Sequence, residues 1–404
     1  MYDFDKAVDR SNTSSIKWSK AAIKAICGNE NALPYWVADM DLVTSKAIHN
    51  AMMKSANFGV AGYAEHPNLN DDFISFVFRK HSWAVDKNSV TYSQGLLHGL
   101  ALALQTFTKK GDGVLIMYPT YAPFFDMTRK NERRVIEYDL GYKDGLFFFD
   151  KERYEQKSRD AKLILLCSPH NPSGLVFSQE ELEFILSLAK ERGQLVFSDE
   201  IHADLVHPGN THTPLGKLSE KIGTKSITFM APSKTFNIAG EHFAMAIFSD
   251  RDMLSAFKRE QQKLYLDSPG FFIGEMAEAA YTDSDEENRE LCEYLSGNAA
   301  FIRSYLESEI PEIKLVNANA SFVAFLDCSS ILDKVRKDRD KNPELYDGDN
   351  NLLAHFFGMR AGICMNDGTW FGKKYSSFVR LNYGTSREMV KVALDRMKKA
   401  VREL

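Results

Sequence analysis

The chain has 404 residues, 44% of them hydrophobic and 26% charged, with a formal net charge of −5. This is ordinary globular composition with room for two domains, and it excludes a collagen-like or disordered chain. The mild acidic balance gives no electrostatic reason for a nucleic-acid partner. No run of 18 apolar residues suggests a membrane span, and the first residues carry no signal pattern. Five scattered cysteines without a CxxC pair fit a reducing, cytoplasmic setting rather than a disulfide framework.

In chain order, a helix is expected after Gly95, where LLHGLALALQTF is apolar almost all round and so reads as buried. Short β-rich runs then alternate with amphipathic helices: GVLIM (113–117), KLILLC (162–167), QLVFS (194–198) and SITFM (226–230). Each is nearly continuous in apolar residues, as strands covered on both faces are. Between the second and third, residues 178–193 pair a capping box, Ser178 with Glu181, with an apolar stripe at Leu182, Ile185, Leu186 and Leu188. Gly193 is the natural stop. The alternation predicts an α/β fold with a mostly parallel sheet covered by helices. Beyond about residue 280 the character changes to a smaller α+β region. There 283–308 reads as a charged helix, 321–327 and 377–383 as strands, 335–351 as a surface loop, and the end from about Ser386 as a helix.

Ligands of open α/β sheets bind beyond the carboxyl ends of the strands. After the four runs come YPTYAPF, SPHNPSG, DEIHADL and APSKTF, so the strand ends deliver an aromatic, an asparagine, a carboxylate and a lysine. Lys234 closes an apolar run between Ser233 and Thr235. An ammonium there is costly unless it is used or paired, or unless it simply points outward. Asp199 reads either as a helix N-cap or as a ligand partner, and the NPSG stretch either as a turn or as the seat of Asn171.

Taken with LPYWVADMD (33–41), PTYAPF (119–124), PSKTFNIAG (232–240), NDGTWFG (366–372) and FVRLN (378–382), these motifs carry a resemblance over nearly the whole chain. The sequence resembles the fold type I pyridoxal-phosphate enzymes of the class I/II aminotransferase superfamily. Within them it looks most like the cystathionine β-lyase-like C–S lyases. The resemblance implies a large cofactor-binding domain over 46–282, a small domain over 283–404, and an N-terminal segment, 1–45, packing with the small one. Pyridoxal 5′-phosphate is the implied cofactor, and no metal is implied. Lys234 would bind its aldehyde and later move the substrate's α-proton. Asp199 would lie against the pyridine nitrogen, Asn171 and His202 beside the phenolic oxygen, and Tyr121 on the ring. Gly95, the amides of Leu96 and Leu97, and Ser233 would hold the phosphate. Tyr63 would reach the phosphate of a neighbouring subunit, which implies a homodimer with shared sites. Arg380 would take the substrate carboxylate, under the main chain of Val37 and Ala38. His202 replaces the tyrosine that many aminotransferases carry, a departure shared with the C–S lyase subgroup. His170 and His242 stay unassigned. The implied reaction is α,β-elimination from an amino acid with sulfur on Cβ, giving thiol, pyruvate and ammonia. An aminotransferase with the same residues is the alternative, and a cofactor-binding regulatory protein is a third reading.

Overall fold

Seven strands form the main sheet: β1 (Val90–Ser93), β2 (Gly113–Tyr118), β3 (Arg134–Asp139), β4 (Leu163–Cys167), β5 (Leu195–Asp199), β6 (Ser226–Met230) and β7 (Ala244–Phe248). The structure is a computed structural model and describes residues 3–6 and 8–404. The strand order is β1-β7-β6-β5-β4-β2-β3. Every pairing is parallel except those of β7, which runs against both neighbours. The four expected runs are β2, β4, β5 and β6. The other three strands carry weaker signals. Three of the five residues of AMAIF in β7 are alanine or methionine, and RVIEYD in β3 is a polar-faced edge strand.

Helices cover both faces. The helix Gln179–Glu191 opens with the expected capping box: Glu181 N donates to Ser178 Oγ at 3.2 Å and Ser178 N to Glu181 Oε2 at 2.8 Å. The helix Leu96–Phe107 departs from expectation. Leu96, Leu100 and Leu104 are buried, but Leu97 is 36% exposed, so one face reaches the surface. Gly99 lets this helix lie close to the sheet, since a Cβ there would come within 2.6 Å of Ser93 Oγ and 2.7 Å of Phe229. On the opposite side, Phe73, Phe76 and Tyr281 join Met230 and Met245 in a second core. Each such side chain contributes roughly 1.5–3 kcal/mol when taken out of water.

A second, four-stranded antiparallel sheet has its own core. It comprises β8 (Lys314–Leu315), β9 (Val323–Asp327), β10 (Asn366–Asp367) and β11 (Phe378–Asn382), in the order β8-β9-β11-β10. Helices Asp285–Glu309 and Arg387–Arg402 pack on it. The surface loop expected at 335–351 is a correction: Ser329–Lys341 is an α-helix, followed by a single turn at Pro343–Leu345. Ile331 and Val335, one turn apart and fully buried, anchor it, and the charges are its solvent face. Reading the loop from Val335 onward left out the first anchor.

Ahead of the main sheet, the helix Lys20–Cys27 packs against Ala354 and Cys364, and Leu33–Pro34 pairs with Ile363–Cys364. The strap that follows, residues 36–42, crosses from the small sheet to the mouth of the large one. Among the described residues, no helix is long and apolar enough to cross a membrane.

Candidate active site

At the carboxyl ends of β4, β5 and β6 lies a cavity of about 500 Å³. It is lined by Ala38, Gly95, Leu96, Leu97, Tyr121, Asn171, Asp199, His202, Ser233 and Lys234, and also by Cys167, Glu241 and His242. Lys234 arrives there because Pro232 starts a single helical turn, Pro232–Thr235, directly after β6. Its half-buried Nζ donates to Ala38 O at 2.6 Å. Burial pushes the amine down to about 8. The Arg380 charge adds to that, and Asp39 and Asp199 oppose it.

Asp199 ends β5 and is buried, with the Ile201 amide donating to Oδ1 at 3.0 Å. Burial pushes its carboxyl up to about 7; Glu200 adds to the shift, while the Ile201 N–H and Lys234 oppose it. His202 meets Ser321 Oγ at 3.1 Å through Nδ1. Burial, with the charges of Lys234 and Arg380, pushes the imidazole down to about 3, so it is neutral. His170 is not at the cavity. Its Nδ1 meets Ser173 Oγ at 2.8 Å, which holds the turn that presents Asn171.

Arg380 stands one layer back. Nη1 donates to Asn171 Oδ1 at 3.1 Å, and Nη2 to Trp36 O and Asn366 Oδ1, both at 2.8 Å. The guanidinium lies 5.0 Å over the Phe371 ring, and its buried Nε has no partner. Burial pushes it down to about 10. Its bond to Asn171 uses the carboxamide oxygen and leaves the NH₂ as the group available to a ligand.

The helix Leu96–Phe107 starts from Gly95 at φ +98°, and among the described residues no N-cap side chain accepts from its first-turn amides. A Cβ on Gly95 would lie 3.4 Å from His242 Cβ. Besides Arg380, which stands behind Asn171, two further expected residues do not line this cavity. The Val37 carbonyl instead accepts from Asn382 Nδ2. Tyr63 is wholly exposed, outside the chain's own cavity.

Sequence reading missed what holds the strap. Asn237, at φ +54°, accepts from Met40 N at 2.9 Å and donates to Met40 O at 3.0 Å and Leu42 O at 2.7 Å. Arg10 and Lys17 clamp Asp39 and Asp41 from the other side. The one signal was an asparagine in a loop, a residue that tolerates left-handed backbone.

A lysine and a carboxylate at the mouth of a mostly parallel sheet, beside an uncapped helix start, define an enzyme-type site for an amine-reactive, anionic ligand. The profile of the family "Aminotransferase class I and II" matches residues 29–397, and the chain belongs to that family. It is 34% identical over 402 residues to cystathionine beta-lyase PatB of Bacillus subtilis, covering 99% of this chain and 100% of the relative. Among solved structures it is similar to cystalysin from Treponema denticola, which contains a pyridoxal 5′-phosphate cofactor. There the TM-score is 0.89 and the identity 28%, with 100% of this chain and 99% of the other covered. It is also similar to the PLP-bound C–S lyase from Staphylococcus hominis, with a TM-score of 0.88, 27% identity, and 99% and 98% covered.

Proposed function

We propose that the chain is a pyridoxal-phosphate-dependent C–S lyase for amino acids that carry sulfur on Cβ. One observation carries the reading: Lys234, its amine pushed down to about 8, and Asp199, its carboxyl pushed up to about 7, share one cavity in a chain that aligns end to end with a cystathionine beta-lyase.

The residues fit the cofactor. Asp199 is a buried carboxyl with a single backbone donor, which suits a cationic ring N–H. The uncapped turn after Gly95 and the Ser233 hydroxyl suit a phosphate, and the Asn171 NH₂ and His202 suit a phenolate oxygen. Tyr121 offers a ring face. When bound, the cofactor supplies an aldehyde that takes up amines and an electron-poor ring that stabilises negative charge at a substrate's α-carbon.

The protein's part is positioning and proton transfer. An amine near 8 is neutral in a useful fraction at neutral pH, so Lys234 serves first as nucleophile and then as base toward the α-proton. Arg380, with Nε unpaired and its plane fixed by Asn366 and Trp36, takes the α-carboxylate. The sulfur leaves as a thiolate, whose conjugate thiol has a pKa of about 8.5, so no strong acid is needed to expel it.

The working unit in this reading is a homodimer. Phe58, Val60, Tyr63 and Tyr265 are all strongly exposed, and the Tyr265 segment is tied to the cavity rim where Gln94 Nε2 donates to Ser268 O at 2.6 Å. A second copy covering this face would bring its Tyr63 to the phosphate side. The decisive test is incubation with cystathionine: thiol and pyruvate should appear with no added keto acid. Turnover only with a keto-acid acceptor, and no pyruvate, would make the protein an aminotransferase instead.

A further inference from the structure

Strand alternation sends Asp199 to the cavity and Glu200 to the other side of the sheet, where it is 1% exposed. The Glu200 carboxylate is saturated with donors. Ser198 Oγ and Leu215 N donate to Oε1 at 2.9 and 2.8 Å, and His212 Nε2 meets Oε2 at 2.8 Å. Leu215 opens the helix Leu215–Ile222, whose N-cap Pro214 makes no side-chain cap bond, so Glu200 also meets the positive end of that helix. Asp199 has only the Ile201 amide. Two carboxyls on consecutive buried residues do not both ionise cheaply. The donors decide for Glu200 and leave the proton with Asp199.

His212 holds this arrangement from behind. Its Nδ1 has no partner, and its ring packs edge-on against His81 at 5.8 Å. His81 in turn meets Asp204 Oδ1 at 2.8 Å, and Thr235 Oγ1, next to Lys234, donates to Asp204 Oδ2 at 3.2 Å. Both histidines line a second cavity of about 380 Å³.

We propose that Glu200, oriented by His212, is a positioning residue for Asp199, its fixed negative charge holding in the site the proton that Asp199 passes to the cofactor's ring nitrogen. The proposal rests on the cofactor assignment above. The transfer is balanced: one proton leaves the Asp199 carboxyl and joins the ring nitrogen, giving a carboxylate against an N–H cation. Glu200 then stabilises that cation and raises the pH at which the nitrogen would lose its proton. The cation facing Asp199 is Lys234, which opposes Glu200. Cys167 and Tyr121 are uncharged there, burial pushing thiol and phenol up, and His202 is neutral. His212 faces Glu200 and His81, and through His81 the Asp204 carboxylate.

The test uses cofactor-loaded protein carrying ring-¹⁵N label, followed by NMR from about pH 6 to about pH 10, with melting temperatures alongside. Glu200→Gln can still accept from Ser198 and Leu215 and can reverse its bond with His212, so it removes charge without emptying the site. The wild-type nitrogen should stay protonated to about pH 10, and in Glu200→Gln it should be half deprotonated at about pH 9 or below, a tenfold or greater loss of proton affinity. His212→Leu, which strips a donor from Glu200, should shift the titration the same way, and His212→Gln should restore it. An unshifted nitrogen in Glu200→Gln overturns the proposal. If that variant does not fold, a His212→Leu protein that melts lower but titrates like wild type overturns it as well. Wild-type protein that binds no cofactor would remove this proposal together with the functional reading, whereas normal binding with no shift removes this one alone.

Discussion

The floor of the cavity comes from segments that are local in sequence. Asp199 ends one fully hydrogen-bonded strand, and Lys234 and Asn171 follow two others within a single turn. The opposite wall is assembled from residues far apart. Arg380 reaches Trp36 O across 344 positions, Asn382 binds the strap carbonyls of Val37 and Asp39, and Asn237 ties Met40 and Leu42. Floor residues end or directly follow strands, and in β4 and β6 every side chain is buried, so these residues hold position against solvent and substrate alike. The wall is a strap held by individual hydrogen bonds, each worth about 0.5–1.5 kcal/mol net. The floor therefore suits bond-making and proton transfer, and the wall suits recognition of the substrate's carboxylate.

The sharpest way to break this contrast is on the floor. Lys234→Ala should lower kcat by about 10³–10⁴-fold, the upper part of the range for losing a positioned proton-transfer group. Borohydride treatment should leave no pyridoxyl group at position 234, while the melting temperature stays close to wild type. Mixed with Tyr63→Ala protein, the variant should recover part of the activity, because a hybrid of the proposed dimer would regain one intact site. Recovery that never appears would separate Tyr63 from the site.

On the wall, Arg380→Ala should reduce kcat/KM by about 10²–10³-fold, chiefly through KM, as expected for truncating one partner of a buried charge pair. Arg380→Lys should fall between, since an ammonium lacks the flat fork. Cofactor absorption should be unchanged in both. Equal losses of cofactor and substrate binding would show floor and wall to be one unit.

The same contrast explains what could be read in advance. β2, β4, β5 and β6 were legible because continuous apolar runs bounded by turns are a local signal, and the residues just beyond them were legible for the same reason. The bond from Lys234 to Ala38 O, the Asn237 clamp and the seat of Arg380 behind Asn171 were not, because each joins segments that only the finished fold brings together. The helix Ser329–Lys341 was misread for a different reason: its burial rests on Ile331 and Val335 alone, and charge outweighs that in any composition-based reading. Glu200, read only as a letter of the DEIH motif, is the buried partner of His212.

The smallest predicted effect concerns the floor's rigidity, read without cofactor. Burial pushes the folded Asp199 carboxyl up to about 7, against about 3.9 for an unfolded aspartate. Between those values the folded protein binds more protons than the unfolded one, so stability falls as pH rises, and above about 7 the penalty is constant. The full shift corresponds to at most about 4 kcal/mol, and the charge of Lys234 is already part of that balance. Asparagine can still accept from Ile201 and carries no charge to bury. Cofactor-free Asp199→Asn should therefore melt several degrees above wild type at about pH 8 and nearly with it at about pH 4, the gap opening across the interval between. Parallel melting curves at all pH values would mean that Asp199 is well solvated, and the floor would then lose the dryness that distinguishes it from the wall.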